Sequence, residues 1–537
     1  MCFWHKKKEK ESLIKKERNE ETAVVYSITT VRDLISPDSS DMDEIIEALN
    51  LPLYDKNSIK EAKKTLRCFL SALRVDLKVV VERQYVDRMF RDSYYYMYSK
   101  KSFGNSRFCV RLSFLDCQEI QSDGLFLYRN ASKFKEHYLG FLVLRPILKY
   151  IIGRNVISPK AMAERNFAIC DVAVPSSVCG VSVSVTGFPH CSQDTETMSC
   201  AESTLWSIME YYAHKSPLYK LLLPSDIHAI LSTTSNTRLI PSHGLMFDQL
   251  SNVLCHCGFE CVLYSKDSFD NETIVSFKEI FTCYVESGIP LAVCITTDKE
   301  DAHAVVCVGR KIIGRENVFN KNMTEKQDWW GYSQWNCCVN DFVFVDDNRS
   351  SYQKATFDMP LSYYKEKNKY GGDQDEEEEM EDWGNGTITH FIAPLPNKVY
   401  LDAKAAIAIS NSVLHSVLGL STGTCVRTFL VSCQDYRDFV IRESNWSDED
   451  IIHFIGLKMP KYVWITEFSD YGTFEKGLAN GILVLDSTGR EDVSSILYYR
   501  TKEEVMFFDE HLHVLSSFEK SDGKPIKSYN RNLNNYI

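Results

Sequence analysis

No stretch of this 537-residue chain is long and apolar enough to cross a membrane as a helix. Its longest apolar run, from Tyr138 to Lys149, is broken by Arg145, Pro146 and Lys149. The opening residues, from Met1 to Lys10, lack the apolar centre of a signal peptide, so neither secretion nor membrane insertion is expected. A basic excess is also missing: the formal charge is -12, which argues against bulk binding to nucleic acid. The 18 cysteines follow no evident pairing framework, so the expected compartment is a reducing cytoplasm with most thiols buried or free. There is no internal repeat. Zinc-finger spacing is absent as well. Cys255, His256, Cys257 and Cys261 supply ligand types in a single run, and the adjacent pair Cys337 and Cys338 is poorly placed to chelate one ion. No metal and no cofactor is expected.

What is present is the composition of a globular protein, 44% hydrophobic and 25% charged, in a chain long enough for roughly three units. Helical spacing of Leu66, Phe69, Leu70, Leu73, Leu77 and Val80 predicts one long helix, or two collinear ones, from Ser58 to about Tyr98. Segments 107–114 and 137–144 read as strands, giving an N-terminal helix-plus-strand region over residues 1–165. Alternation in Val181–Thr186 predicts another strand. A core follows over 166–360, then an acidic loop over 361–390, then a C-terminal α+β region over 391–537 with strands at 462–467 and 481–486. The fold class is α+β. The acidic run Asp373–Asp382 reads first as a solvated loop and second as a docking strip for a basic protein partner. Arg83, Arg88 and Arg91 ahead of Tyr94, Tyr95, Tyr96 and Tyr98 interleave cations with rings, which suits single-stranded nucleic acid or a nucleotide, or simple helix-face pairing with Asp87 and Asp92, equally well.

The chemistry-bearing pattern lies in the middle of the chain. Ser199 and Glu202 form a Ser-x-x-Glu capping box that puts Cys200 in the first turn of a helix, with Leu205, Ile208, Met209 and Tyr212 forming its buried stripe. Unpaired N–H groups at that end favour a thiolate. His303 opens a strand-like run about a hundred residues on, and Asp346 and Asp347 end another. A thiol attacks a carbonyl as thiolate, an imidazole takes and returns the proton, and a carboxylate orients the imidazole. Asp346 is favoured over Asp347 because it continues the face of Phe342 and Phe344. His190, His214 and His243 compete with His303 for the role of base.

These residues resemble the papain-like cysteine peptidases, and most of all their bacterial branch of double-glycine leader peptidases. The resemblance covers about residues 190–350. In that family a Gln ahead of the nucleophile helps to hold the oxyanion, and Gln193 matches it with a spacing about one residue longer. The runs around Gly244 before a helix and Gly288 before a strand keep the same register. The pattern departs in two places: Ala201 and Glu202 stand where a Gly-rich continuation is usual, and a Trp-rich excursion through Trp330 and Trp335 separates His303 from Asp346. That excursion is a candidate lid or partner surface. The resemblance implies a papain-like core and a cysteine peptidase or related thiol hydrolase acting on a peptide or protein substrate. Its catalytic residues would be Cys200, His303, Asp346 and Gln193. The same covalent chemistry would serve an acyltransferase, and a catalytically silent scaffold is the reading from another class.

Overall fold

The computed structural model describes residues 26–51, 56–102, 104–117, 119, 129–147, 150–235, 238–242, 244–270, 274–312, 333–365, 382–418, 424–509, 514–520 and 523–537. His243, the Trp-rich excursion ahead of Ser333 and the acidic run as far as Glu381 lie outside these residues. The described chain is mixed helix and antiparallel sheet, as α+β requires. It forms two compact units. One holds the residues up to Ala163 with Ala173–Gly187, the other Glu164–Val172 with Phe188–Ile537. Among the described residues no helix is long and apolar enough to cross a membrane.

The first unit is built on a sheet ordered β1-β2-β3-β4-β5-β8-β7. Its strands are β1 (Tyr26–Thr30), β2 (Lys78–Tyr85), β3 (Cys109–Leu115), β4 (Tyr138–Leu144), β5 (Ile152–Ile157), β7 (Val172–Val178) and β8 (Val181–His190). Every residue of β3 and β4 is buried, whereas β8 alternates, with Val181, Val183 and Val185 inside and Ser182, Ser184 and Thr186 outside. The long helix expected from Ser58 to Tyr98 is corrected: a helix at Lys56–Ser71 gives way to β2, and a second helix covers Arg88–Tyr96. The run Val79-Val80-Val81 explains the break, because three β-branched residues in succession pack well in a strand and poorly on a helix. Arg83 pairs with Glu44 at 2.7 Å, and Arg91 lies 5.8 Å from the rings of both Tyr95 and Phe108. Both cations have partners within the unit.

In the second unit, β9 (Phe259–Ser265), β10 (Leu291–Thr296), β11 (Ala302–Lys311), β13 (Asp341–Val345), β14 (Gln353–Thr356) and β15 (Thr387–Pro396) form the core sheet in the order β14-β13-β11-β10-β15-β9. Strand β15 runs across residue 391, where the C-terminal region was expected to begin, and lies inside this sheet. β6 (Phe167–Ile169) pairs with β11, and β24 (Asn534–Tyr536) pairs with β6, so the last residues complete this sheet. The helix Cys200–Lys215 packs on β11. The helix Phe277–Glu286 buries Phe277 and Phe281 against Phe391 at ring separations of 5.0 and 5.2 Å.

A third sheet, β12-β16-β17-β19-β20-β21-β22, joins β12 (Ser333–Gln334), β16 (Thr424–Ser432), β17 (Tyr462–Asp470), β19 (Gly481–Asp486), β20 (Ile496–Thr501), β21 (Glu504–Asp509) and β22 (Val514–Lys520). A short ladder pairs β18 (Leu478–Ala479) with β23 (Ile526–Lys527). Glu286, at the end of the helix Phe277–Glu286, ties the two large sheets together. Its carboxylate is bonded to Arg310 of β11, lies 3.6 Å from Arg427 of β16 and accepts from Trp335 Nε1 at 2.9 Å. Burial pushes its carboxyl up, but the two guanidinium groups outweigh burial and hold it below the ordinary glutamate range. Gly288, in the turn after this helix, has φ +67°, and a Cβ there would sit 2.5 Å from the Asn532 carbonyl oxygen.

Candidate functional site

Cys200 is the first residue of its helix, with Ser199 as N-cap. The Ser199 N–H donates to the Glu202 carboxylate at 3.0 Å, and Ser242 Oγ donates to the other oxygen of Glu202 at 2.7 Å. Glu202 is 1% exposed, so the cap is part of the core, and such a cap contributes about 1 kcal/mol to helix stability. The expected stripe of Leu205, Ile208, Met209 and Tyr212 is buried, together with Trp206. Burying each of these side chains is worth roughly 1.5–3 kcal/mol, which anchors the helix end that carries the thiol. Cys200 itself remains partly exposed.

The loop that delivers Gln193 to this helix is organised by one carboxylate. Asp194, 2% exposed, accepts through Oδ1 from the backbone N–H groups of Glu196, Thr197 and Met198 at 3.0, 2.7 and 2.9 Å. Its own N–H and that of Thr195 both donate to the Met198 carbonyl at 3.0 Å. The chain between Gln193 and Cys200 is thus a closed turn. Nothing in the resemblance marks Asp194, although an Asp followed by polar residues and then a helix start is a recognisable Asx-type loop.

His303 sits at the second position of β11, opposite Ile295 of β10. β13 runs antiparallel to β11 with Val345 opposite Val306, so the residues just past the end of β13 return to the start of β11. This register places Asp346 and Asp347 beside His303. His303 Nε2 donates to Asp346 Oδ1 at 3.0 Å and lies 3.6 Å from Asp347 Oδ1. With Nε2 facing the carboxylates, Nδ1 is the ring nitrogen left to meet the Cys200 thiol, which lies close enough to help raise the imidazole. The ring of Trp383 stands nearly edge-on to the imidazole at 5.7 Å.

Asp346 is fully buried and held on all sides. Tyr363 Oη donates to its Oδ2 at 2.8 Å, the Asn348 N–H to its Oδ1 at 2.9 Å, and His190 Nε2 to its backbone carbonyl at 2.8 Å. His190, one of the competing bases, therefore braces the acid from behind. His214 lies 3.4 Å from Glu210 on its own helix. Gln193 Nε2 donates to Asn348 Oδ1 at 2.9 Å. Tyr363 and Asn348 escaped the sequence reading because neither belongs to a motif.

Charge separates the two aspartates. Burial pushes the Asp346 carboxyl up, but the His303 charge and the hydrogen bonds from His303 and the Asn348 N–H prevail and hold it below the ordinary carboxylate range. For Asp347, burial is joined by the Asp346 charge, overcomes the attraction of His303 and pushes the carboxyl up to about 7. Burial also works against charging His303, yet the Asp346 carboxylate, the hydrogen bond to it and the nearby Cys200 thiol raise it well above its ordinary value. The site can therefore hold an imidazolium against one fixed carboxylate.

Among the described residues, His303, Asp346 and Asp347 are the group of metal-ligand type whose ligand atoms lie within 4.8 Å of one another. The oxygens of Asp346 already accept from His303, Tyr363 and Asn348, the pattern of a carboxylate that orients an imidazole. The Cys255–Cys257 run closes the helix Phe247–His256, and its thiols gather no such group. A scan against protein-family models finds no match for the chain, and a search of curated proteins finds none either.

Proposed function

We propose that the protein is a papain-like thiol hydrolase that cleaves a peptide or related amide bond through an acyl-thioester on Cys200. The observation that carries this reading is a partly exposed thiol beside the His303 imidazole, which is itself hydrogen-bonded to a buried carboxylate. Three further features favour the papain-like pattern: the Cys opens a buried helix, the His lies on an antiparallel strand packed against that helix, and the Asp follows the neighbouring strand.

In the proposed cycle the Cys200 sulfur attacks the carbonyl carbon, a C–S bond forms, and the carbonyl electrons move to oxygen. Gln193 and the Cys200 backbone N–H hold that oxyanion. The tetrahedral centre collapses, the C–N bond breaks, and the His303 imidazolium protonates the departing amine. Water then gives its proton to His303 and attacks the thioester. Acid is released and the thiol is restored. Asp346 keeps Nδ1 directed at the sulfur by holding Nε2.

A thiol-directed acyl probe tests the assignment. Labelling at Cys200 is expected in the wild type and should be lost in Cys200→Ala with an unchanged circular dichroism spectrum. Equal labelling of that variant would refute the nucleophile. Analysis of products with and without an added amine distinguishes hydrolysis from acyl transfer, since both pass through the same thioester.

A further inference from the structure

The loop that follows the triad's acid reaches the side chain of the proposed oxyanion donor through Asn348. The Asn348 backbone N–H donates to Asp346 Oδ1 at 2.9 Å, while its side-chain oxygen accepts from Gln193 Nε2 at 2.9 Å. Two distant pieces of sequence, the closed turn at 193–199 and the turn at 346–349, thus meet at Asn348 as well as at the Asp347 carboxylate, which faces the Gln193 backbone. We propose that Asn348 is a positioning residue that fixes the Gln193 amide as oxyanion donor and registers it against Asp346. This rests on the thiol-hydrolase reading above.

The physical reason is the geometry of an amide. A primary amide nitrogen carries two hydrogens in one plane, and committing one of them to Asn348 fixes where the other lies. An oxyanion donor contributes by being aimed before charge develops, so a Gln free to rotate would lose part of its effect. The Gln193 backbone is already held by Asp194, which shapes the turn immediately after it. Asn348 supplies a constraint on the side chain. Its own side chain is exposed, so truncation removes an acceptor without opening the core. The backbone N–H that serves Asp346 survives in Asn348→Ala.

Two reagents separate aim from reactivity. p-Nitrophenyl acetate acylates a thiol through an oxyanion, whereas iodoacetamide alkylates it by direct displacement and forms none. The Cys200-dependent rate with each is the difference between an enzyme and its Cys200→Ala counterpart. Gln193→Ala should slow acylation about a hundredfold and Asn348→Ala about tenfold, both with alkylation unchanged, and the double variant should be no slower than Gln193→Ala. The proposal is overturned if Asn348→Ala acylates like the wild type, if acylation and alkylation fall together, or if the two effects multiply. If wild type and Cys200→Ala react identically with both reagents, the thiol-hydrolase reading itself fails and takes this proposal with it.

Discussion

Asp346 and Asp347 are consecutive, both are buried, and both carboxylates approach the same imidazole nitrogen, at 3.0 and 3.6 Å. Hydrogen bonds decide between them. Asp346 accepts from the Tyr363 hydroxyl and the Asn348 N–H as well as from His303, while Asp347 is faced by backbone N–H groups, that of Gln193 among them, without a bond as well formed. In the proposed reaction, Asp346→Asn should lower kcat roughly 10²–10⁴-fold, whereas Asp347→Asn should stay within a few-fold. The pH profile carries the same contrast. His303 is raised, so the stability given by its pairing is complete below about 6.5 and is lost as pH climbs through the raised value. Asp346 is lowered, so its share is present above about 3.9 and is lost as pH falls towards the lowered value. Removing the Asp346 charge should therefore pull the alkaline limb of kcat against pH downwards, towards the ordinary histidine range. An alkaline limb unmoved in Asp346→Asn would assign the orienting role elsewhere. The sequence favoured Asp346 from strand alternation alone. It did not name Tyr363, because a tyrosine seventeen residues on acquires its partner only when the chain after β14 folds back.

At the scale of elements, the Cys200 helix and the loop before it were legible for different reasons. The helix announced itself through its capping box and apolar stripe, signals carried by neighbouring residues. The loop depends on Asp194, whose partners are backbone N–H groups and leave little trace in the composition. Asp194→Ala strips the acceptor from three N–H groups, two of them buried, so it should cost about 1–3 kcal/mol in urea denaturation. It should also slow acylation of Cys200 more than alkylation, because Gln193 is displaced while the thiol is not. A variant as stable as the wild type would show that the turn is held by other contacts. The break in the helix expected from Ser58 to Tyr98 shows the limit of periodicity. Leu77 and Val80 fit a helical stripe by spacing, yet both are buried in or beside β2, where β-branched neighbours prevail.

On the scale of the whole molecule, antiparallel β11 and β13 bring His303 and Asp346 together across 43 residues of sequence, and the packing of the Cys200 helix on β11 adds the thiol. Order along the chain suggested that meeting, but strand register produces it, and register was not readable from the sequence. Glu286 and the C-terminal strand β24 bind the surroundings of this arrangement through contacts that no local pattern foreshadows. Site-resolved alkylation of every cysteine by iodoacetamide, followed by mass spectrometry at pH 6, probes the Cys200–His303 pairing without any substrate. Cys179 is an internal reference, since burial pushes its thiol up to about 12. Cys200 should react faster than Cys179 and the other thiols, and His303→Asn should abolish that lead. Alkylation of Cys200 no faster than that of its neighbours, or unaltered by His303→Asn, would contradict the pairing on which the proposed chemistry depends.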